Sequence, residues 1–151
     1  MYTGPLYICS DHAGYALKKR LVRYIANELK RDVIDMGPVA HDEDDDFPDY
    51  VIPTAQKAVE TNGRAIMICG SGIGTCIVAN KVPGMYAGLA YNIESAELSR
   101  KHNNTNGLCL AGRVLTEEHA MIMVKKWLET DFLGDKYERR NDKIKSIEIG
   151  S

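Results

Sequence analysis

The chain contains no apolar run of roughly 18 residues, which excludes a helical membrane span. It has no excess of positive charge. Its 19 Lys and Arg stand against 21 Asp and Glu, for a net charge of -2, which argues against a domain that grips many nucleic-acid phosphates. It lacks a Cys-x-x-Cys pair, and its four histidines do not cluster in sequence with its four cysteines, Cys9, Cys69, Cys76 and Cys109. Neither a disulfide framework nor a tetrahedral zinc site is therefore expected, and the cysteines read as reduced thiols of a cytoplasmic protein. The opening Met1-Tyr2-Thr3-Gly4-Pro5 has no basic stretch leading into an apolar one, so no secretory signal is expected. No Gly-Lys-Ser/Thr sequence is present to mark a nucleotide-binding P-loop.

What the chain does have is a glycine-rich bend that opens on a thiol, Cys69-Gly70-Ser71-Gly72-Ile73-Gly74. It follows the apolar run Ala65-Ile66-Met67-Ile68 and precedes a helical stretch, Thr75 to Lys81. Strand, glycine bend and helix together make a cradle of backbone N–H groups for an anion. The spacing Gly70-x-Gly72-x-Gly74 lacks the third interval of a dinucleotide fingerprint, and no partner acid follows the next strand. The mouth of such a bend stabilises a thiolate, so Cys69 is a candidate nucleophile or proton-abstracting base. Ser71 and the amides beside it are candidates for holding a developing oxyanion.

The rest of the chain alternates short apolar strands with amphipathic stretches. Strands are expected at Leu6 to Cys9, Asp32 to Met36, Ala65 to Ile68, Met85 to Ala90 and Gly107 to Ala111. Between and after them, helices are expected at Tyr15 to Leu29, Tyr50 to Glu60, Thr75 to Lys81, Ile93 to His102 and from Thr116 to about Thr130. Asn92 and Thr116 are suited to cap the helices that follow them. The charged tail, 135–149, carries Ile144 and Ile147 at a spacing that suits one packing stripe of a last helix, docked on this or a neighbouring subunit. The consecutive acids Asp42 to Asp46 read as a solvated face of a loop, the alternative being a place near the site where they repel stray anions. This alternation predicts one α/β domain, 1–151, of three αβα layers: a doubly wound, five-stranded parallel sheet of Rossmann-like form. Ligands of such folds bind beyond the carboxyl ends of the strands, where Asp11, His12, Cys69, Ser71 and Arg113 fall. His102 and Asn103 end the helix before the last strand and read either as a helix terminus or as an acid–base pair. His41 and His119 read as structural or surface residues. Arg113 and the tail cations Lys136, Arg139 and Arg140 suit either solvated ion pairs or a clamp on a small phosphorylated ligand.

Several motifs in order give these residues a sharper meaning. They are Ser10-Asp11-His12-Ala13-Gly14, Phe47-Pro48-Asp49-Tyr50, the glycine bend, Ala79-Asn80-Lys81-Val82-Pro83-Gly84, Ser99 through Asn106, and Gly112-Arg113-Val114. With them the chain resembles, over nearly its whole length, the ribose-5-phosphate isomerase B family, which also includes the galactose-6-phosphate isomerase subunits. The resemblance implies aldose–ketose isomerisation of a sugar phosphate through a cis-enediolate, with no metal or organic cofactor. It implies that Cys69 is the base that moves a proton between C2 and C1. Ser71 and the amides around Gly70, Gly72 and Gly74 would steady the enediolate, and His102 would open the furanose ring. Asp11 and His12 would lie against the ring oxygen and hydroxyls or against the phosphate. Asn103 would bind the sugar, and Arg113, Lys136 and Arg140 would meet the phosphate. Dimers or tetramers with active sites shared between subunits are implied, as are the absence of nucleic-acid and membrane partners.

Some positions depart from the family's pattern. Tyr86 and Lys136 stand where arginine is often found, Ser71 where threonine is common, and Phe47 where tyrosine is frequent. Cys76, beside the bend, reads as a packing residue. Ribose 5-phosphate and ribulose 5-phosphate are the expected pair. The alternatives are a hexose 6-phosphate isomerase acting on allose or galactose 6-phosphate, and a non-catalytic sugar-phosphate binding subunit.

Overall fold

The computed structural model describes residues 1–150. Strands β1 (Leu6–Ser10), β2 (Ile34–Asp35), β3 (Arg64–Cys69), β4 (Ala87–Leu89) and β5 (Gly107–Ala111) alternate with helices α1 (Tyr15–Asn27), α2 (Phe47–Glu60), α3 (Ile73–Asn80) and α4 (Ile93–Asn103). Helices α5 (Glu117–Glu129) and α6 (Lys136–Gly150) follow the last strand. All strand pairs are parallel, in the order β2-β1-β3-β5-β4. The sheet, its layering and the alternation therefore match the expected α/β architecture.

The period-2 alternation of strand side chains divides the core in two. Leu6 and Ile8, Ile66 and Ile68, and Leu108 and Leu110 point to one face, where they pack with α1, α4 and α5. Tyr7 and Cys9, Ala65 and Met67, and Cys109 point to the other, under α2 and α3. The connections that move toward β4 carry α2 and α3 on one face, and those that move toward β2 carry α1 and α4 on the opposite face, so every crossover has the same hand. The chain leaves β1 toward one sheet edge and β3 toward the other. The crevice between their carboxyl ends is thus the switch point at which such sheets hold ligands.

Several boundaries differ from expectation. Strand β2 is confined to Ile34–Asp35, both exposed, because it is an edge strand with one neighbour. Helix α2 starts at Phe47 because Pro48 sits in the first turn, where a missing N–H costs nothing. The capping expectations hold. Asn92 forms a reciprocal box with Ser95, and Thr116 accepts the His119 N–H. The tail is helical and docks on α4 of its own chain, with Asn141 Nδ2 donating to Asn103 O at 2.9 Å. Of its expected packing stripe, Ile144 is 45% exposed and Ile147 72% exposed, so neither is in the core. No helix among the described residues is long and apolar enough to cross a membrane.

Buried polar groups tie these layers together. The Trp127 indole donates to Thr105 Oγ1 at 3.0 Å, and the buried Arg100 guanidinium donates to the Thr105 and Thr130 carbonyls. Lys18, fully buried, donates to Asp35 Oδ1 at 2.8 Å and to the Pro38 carbonyl, which fixes the start of the loop between β2 and α2. Trp127→Ala removes the largest fully buried side chain and leaves Thr105 without its donor. It is expected to cost about 3–5 kcal/mol, read as a lower denaturation midpoint at fixed protein concentration.

Candidate functional site

The bend after β3 is shaped by Gly72, whose φ of 76° is left-handed. A Cβ there would lie 2.6 Å from Leu89 Cδ1 and 3.1 Å from the Leu110 carbonyl carbon, so only glycine fits without displacing the sheet. The turn brings the Gly72 N–H to Cys69 Sγ at 3.2 Å. The sulfur is buried and lies 3.7 Å from Thr75 Oγ1, whose hydroxyl donates to Gly72 O at 2.9 Å. A thiolate at Cys69 would thus meet a backbone donor at the amino end of α3. Ser71 is exposed and its Oγ accepts the Ile73 N–H at 3.2 Å, so the hydroxyl stands at the same mouth. The Phe47 ring covers Gly74, where a Cβ would come within 2.7 Å of Phe47 Cζ. The Tyr91 hydroxyl donates to Ser71 O and holds the outer side of the bend.

Strands β1 and β5 deliver the neighbouring groups. Gly112 N donates to Cys69 O at 2.8 Å and Arg113 N to Gly70 O at 3.0 Å, which locks the end of β5 onto the bend. The Arg113 side chain passes over Gly70, with Cδ 3.3 Å from where a Cβ would be. Asp11 N donates to Ile68 O at 3.1 Å, and Asp11 Oδ1 accepts the Gly14 N–H at 3.1 Å, so the carboxylate caps the turn that starts α1. His12, the next residue, lines an open cavity of about 570 Å³ with Ala13, His41, Glu43 and Arg113. His41, exposed as a surface residue, also lines this cavity, with its ring 6.1 Å from that of His12.

Asp45 is the residue that sequence reasoning missed. It lies inside the acidic run read as solvated, yet its side chain is only 4% exposed. Its Oδ1 accepts the His12 backbone N–H at 3.1 Å and pairs with His12 Nδ1 at 2.7 Å. That hydrogen bond, opposed by partial burial and helped by the charges of Asp11 and Asp45, holds the His12 imidazole above its ordinary pKa. Asp11, His12 and Asp45 place donor atoms within 4.8 Å of one another, the spacing a cation needs. Those of His12 and Asp45 are paired with each other and that of Asp11 with Gly14, which makes the group a hydrogen-bond cluster.

The remaining predicted residues lie elsewhere. Helix α4 runs back against the strands, so His102 and Asn103 sit at the amino edge of β5, while Cys69 and Arg113 sit at the carboxyl edge. The length of β5 separates them, about 16 Å at 3.3 Å per residue. At that far edge the His102 ring stacks on Tyr137, with centroids 4.3 Å apart and planes 8° apart. Lys136 Nζ and Arg140 Cζ lie over the same Tyr137 ring at 5.3 and 5.5 Å. No hydrogen bond or ring contact among the described residues joins this group to the bend. Within one chain the candidates thus form two groups: Asp11, His12, Cys69, Ser71 and Arg113 come together, and His102, Asn103, Lys136 and Arg140 gather at the opposite edge.

A groove of about 590 Å³ borders that second group, lined by His102, Asn103, Tyr86, Leu89, Leu98 and Ile144 among others. It follows the unpaired side of edge strand β4, and Ile73, Ile77 and Leu98 on the flanking helices are exposed. Cys76, expected only to pack, is half-buried and pushed down to about 7 by a hydrogen bond with the Cys109 thiol, with further help from Asn80.

Comparison with known proteins fits this geometry. Residues 6–144 match the family described as Ribose/Galactose Isomerase. The ribose-5-phosphate isomerase B of Mycobacterium tuberculosis is 35% identical over 145 residues, covering 95% of this chain and 89% of that protein. A crystal structure of ribose-5-phosphate isomerase B from Mycoplasma genitalium with bound ribulose-5-phosphate superposes with a TM-score of 0.95 at 35% identity, covering 100% of both chains. The ribose-5-phosphate isomerase B of Clostridium thermocellum superposes with a TM-score of 0.90 at 38% identity, covering 97% of this chain and 98% of that one. With the thiol-bearing glycine bend at the switch point and a match that runs nearly end to end, the chain belongs to the ribose/galactose isomerase family.

Proposed function

We propose that this protein interconverts ribose 5-phosphate and ribulose 5-phosphate through a cis-enediolate, with Cys69 as the base that carries the proton between C2 and C1. The observation that carries the reading is the seat of the thiol. Cys69 Sγ accepts the Gly72 N–H at 3.2 Å inside a glycine bend at the switch point of the sheet, with the exposed Ser71 hydroxyl beside it. A carbon acid beside a carbonyl is weak, so its proton leaves readily only when the oxygen charge is met by fixed donors. The Ser71 hydroxyl and the amides around Gly70, Gly72 and Gly74 supply those donors. Asp11 and His12 lie at the same mouth, placed for the sugar ring or phosphate, and Arg113 offers a guanidinium to the phosphate.

His102 opens the ring, Asn103 binds the sugar, and Lys136 with Arg140 adds phosphate contacts, all from a second copy of the chain. The support is topological. These residues stand at the amino edge of the sheet, and a two-fold pairing along β4 sets the amino edge of one copy beside the carboxyl edge of the other. The exposed Ile73, Ile77 and Leu98 give that pairing apolar area to bury. The same pairing gives α6 a neighbouring subunit to meet. A cytoplasmic setting is part of this proposal, supported by the four cysteines that remain thiols.

Cys69→Ala is expected to lower kcat by at least about 10²-fold and to abolish exchange of solvent deuterium into the sugar, while ribose 5-phosphate still binds. Persistent exchange would remove Cys69 as the base. Purified Cys69→Ala and His102→Ala proteins, each inactive alone, should recover activity when subunits are mixed. Random pairing makes half of the dimers mixed, each with one intact site of two, so about a quarter of the parental rate is expected. No recovery, with subunit exchange verified, would place the whole site in one chain. Finally, kcat/KM measured in parallel should favour ribose 5-phosphate over allose and galactose 6-phosphates, and the reverse order would assign the enzyme to hexoses.

A further inference from the structure

The loop between β2 and α2 makes a specific contact with the site that neither its composition nor the proposed reaction requires. Five consecutive acids fill it, and such runs normally lie in solvent. One of them, Asp45, is turned inward until its side chain is 4% exposed, and its Oδ2 is buried without a hydrogen-bond partner. A desolvated carboxylate with an idle oxygen is costly unless a strong partner compensates it. The partner is His12, held twice by the same oxygen: through its backbone N–H at 3.1 Å and through Nδ1 at 2.7 Å. The loop is itself anchored at both ends. Lys18 holds Asp35 and the Pro38 carbonyl at its start, and the Phe47 ring lies on Gly74 at its end.

We propose that Asp45 is a positioning residue for His12: it holds Nδ1–H toward the loop and turns Nε2, a donor while the ring is protonated, to the anionic end of the substrate in the cavity shared with Arg113. The proposal deepens the function given above and rests on it for the identity of that anion. A bond from Nδ1 to a carboxylate sets the tautomer and the ring orientation, and Nε2 is then the nitrogen left to meet a ligand. The cavity carries a matching group, since the Arg113 guanidinium lines it with His12, beside His41 and Glu43. The charged and titratable groups that face His12 are Asp11, Asp45, Glu43, His41 and Arg113. Asp45 and Asp11 favour the protonated ring, partial burial and Arg113 oppose it, and the Asp45 bond is the largest influence. The sign follows directly. A raised pKa keeps the imidazolium present to higher pH, so loss of the Asp45 charge moves loss of the cation toward lower pH.

The test is a pH titration of the His12 imidazole by NMR, with the signal assigned through His12→Gln, in the parental protein and in Asp45→Asn. Asparagine keeps the shape and an acceptor oxygen but not the charge. In the parent, His12 is expected to titrate above an ordinary histidine and to carry Nδ1–H when neutral. In Asp45→Asn the midpoint moves down, inorganic phosphate binds roughly tenfold more weakly near pH 8, and the alkaline limb of kcat/KM moves to lower pH with the thermal midpoint retained. Asp45→Glu, which keeps the charge, restores much of the shift. A parental His12 that titrates normally with Nε2–H as its neutral tautomer would overturn the proposal even if the variants fail to fold. So would an Asp45→Asn protein with unchanged His12 midpoint and phosphate affinity. Both readouts are independent of isomerisation, so failure of the proposed reaction and failure of this proposal are distinguishable.

Discussion

Everything about the site depends on five strands running the same way. A parallel sheet sends every strand end to one edge and every helix back to the other. Residues that follow a strand therefore gather at the carboxyl edge, where Asp11 and His12 after β1, Cys69 at the end of β3 and Arg113 after β5 meet. Residues that end a crossover helix gather at the amino edge, and His102 and Asn103 close α4 there. No adjustment of side chains bridges the length of β5. The same constraint that gathers one group of candidates at the carboxyl edge thus keeps His102 and Asn103 away from it within one chain, which is why the proposed function draws them from a second copy.

Within the carboxyl edge, one backbone angle sets the chemistry. Gly72 holds a left-handed φ in a place with no room for a Cβ, and the resulting turn presents its N–H to the Cys69 sulfur. Two hydrogen bonds from the end of β5 then hold the bend against the sheet. Rigidity here matters because donors that are already in place need not reorganise when charge develops on the substrate oxygen. The loop before α2 closes the opposite wall: Phe47 lies on Gly74 and Asp45 on His12. The mouth is therefore built by four segments distant in sequence, the ends of β1, β3 and β5 and the loop before α2, each tied to at least one other by a specific contact.

Much of this was legible in the sequence, and the parts that were not share a cause. Strand alternation, the capping signals at Asn92 and Thr116 and the glycine bend are local patterns, and local patterns survive folding unchanged. Membership of the family was legible too, because its motifs are spread along the whole chain. Asp45 was not, because five equal acids carry no mark of which one turns inward; that choice is made by His12, 33 residues away in sequence. The separation of His102 from Cys69 is likewise no local pattern, although sites shared between subunits were implied by the family resemblance. Both are polar groups at the ends of elements, and only strand direction says that the ends are opposite. Tyr137 passed unnoticed among charges, although its ring is what gathers His102, Lys136 and Arg140 into one group.

The central claim is that a complete site needs two chains, one giving the Cys69 bend with Arg113 and the other giving His102. The most direct measurement is a crystal structure of the protein with ribose 5-phosphate bound. The account predicts a sugar whose C1 and C2 lie at Cys69 and Ser71 of one subunit, with His102 of a second subunit at the ring oxygen. A sugar held wholly by one chain, or bound away from the Cys69 bend, would contradict it.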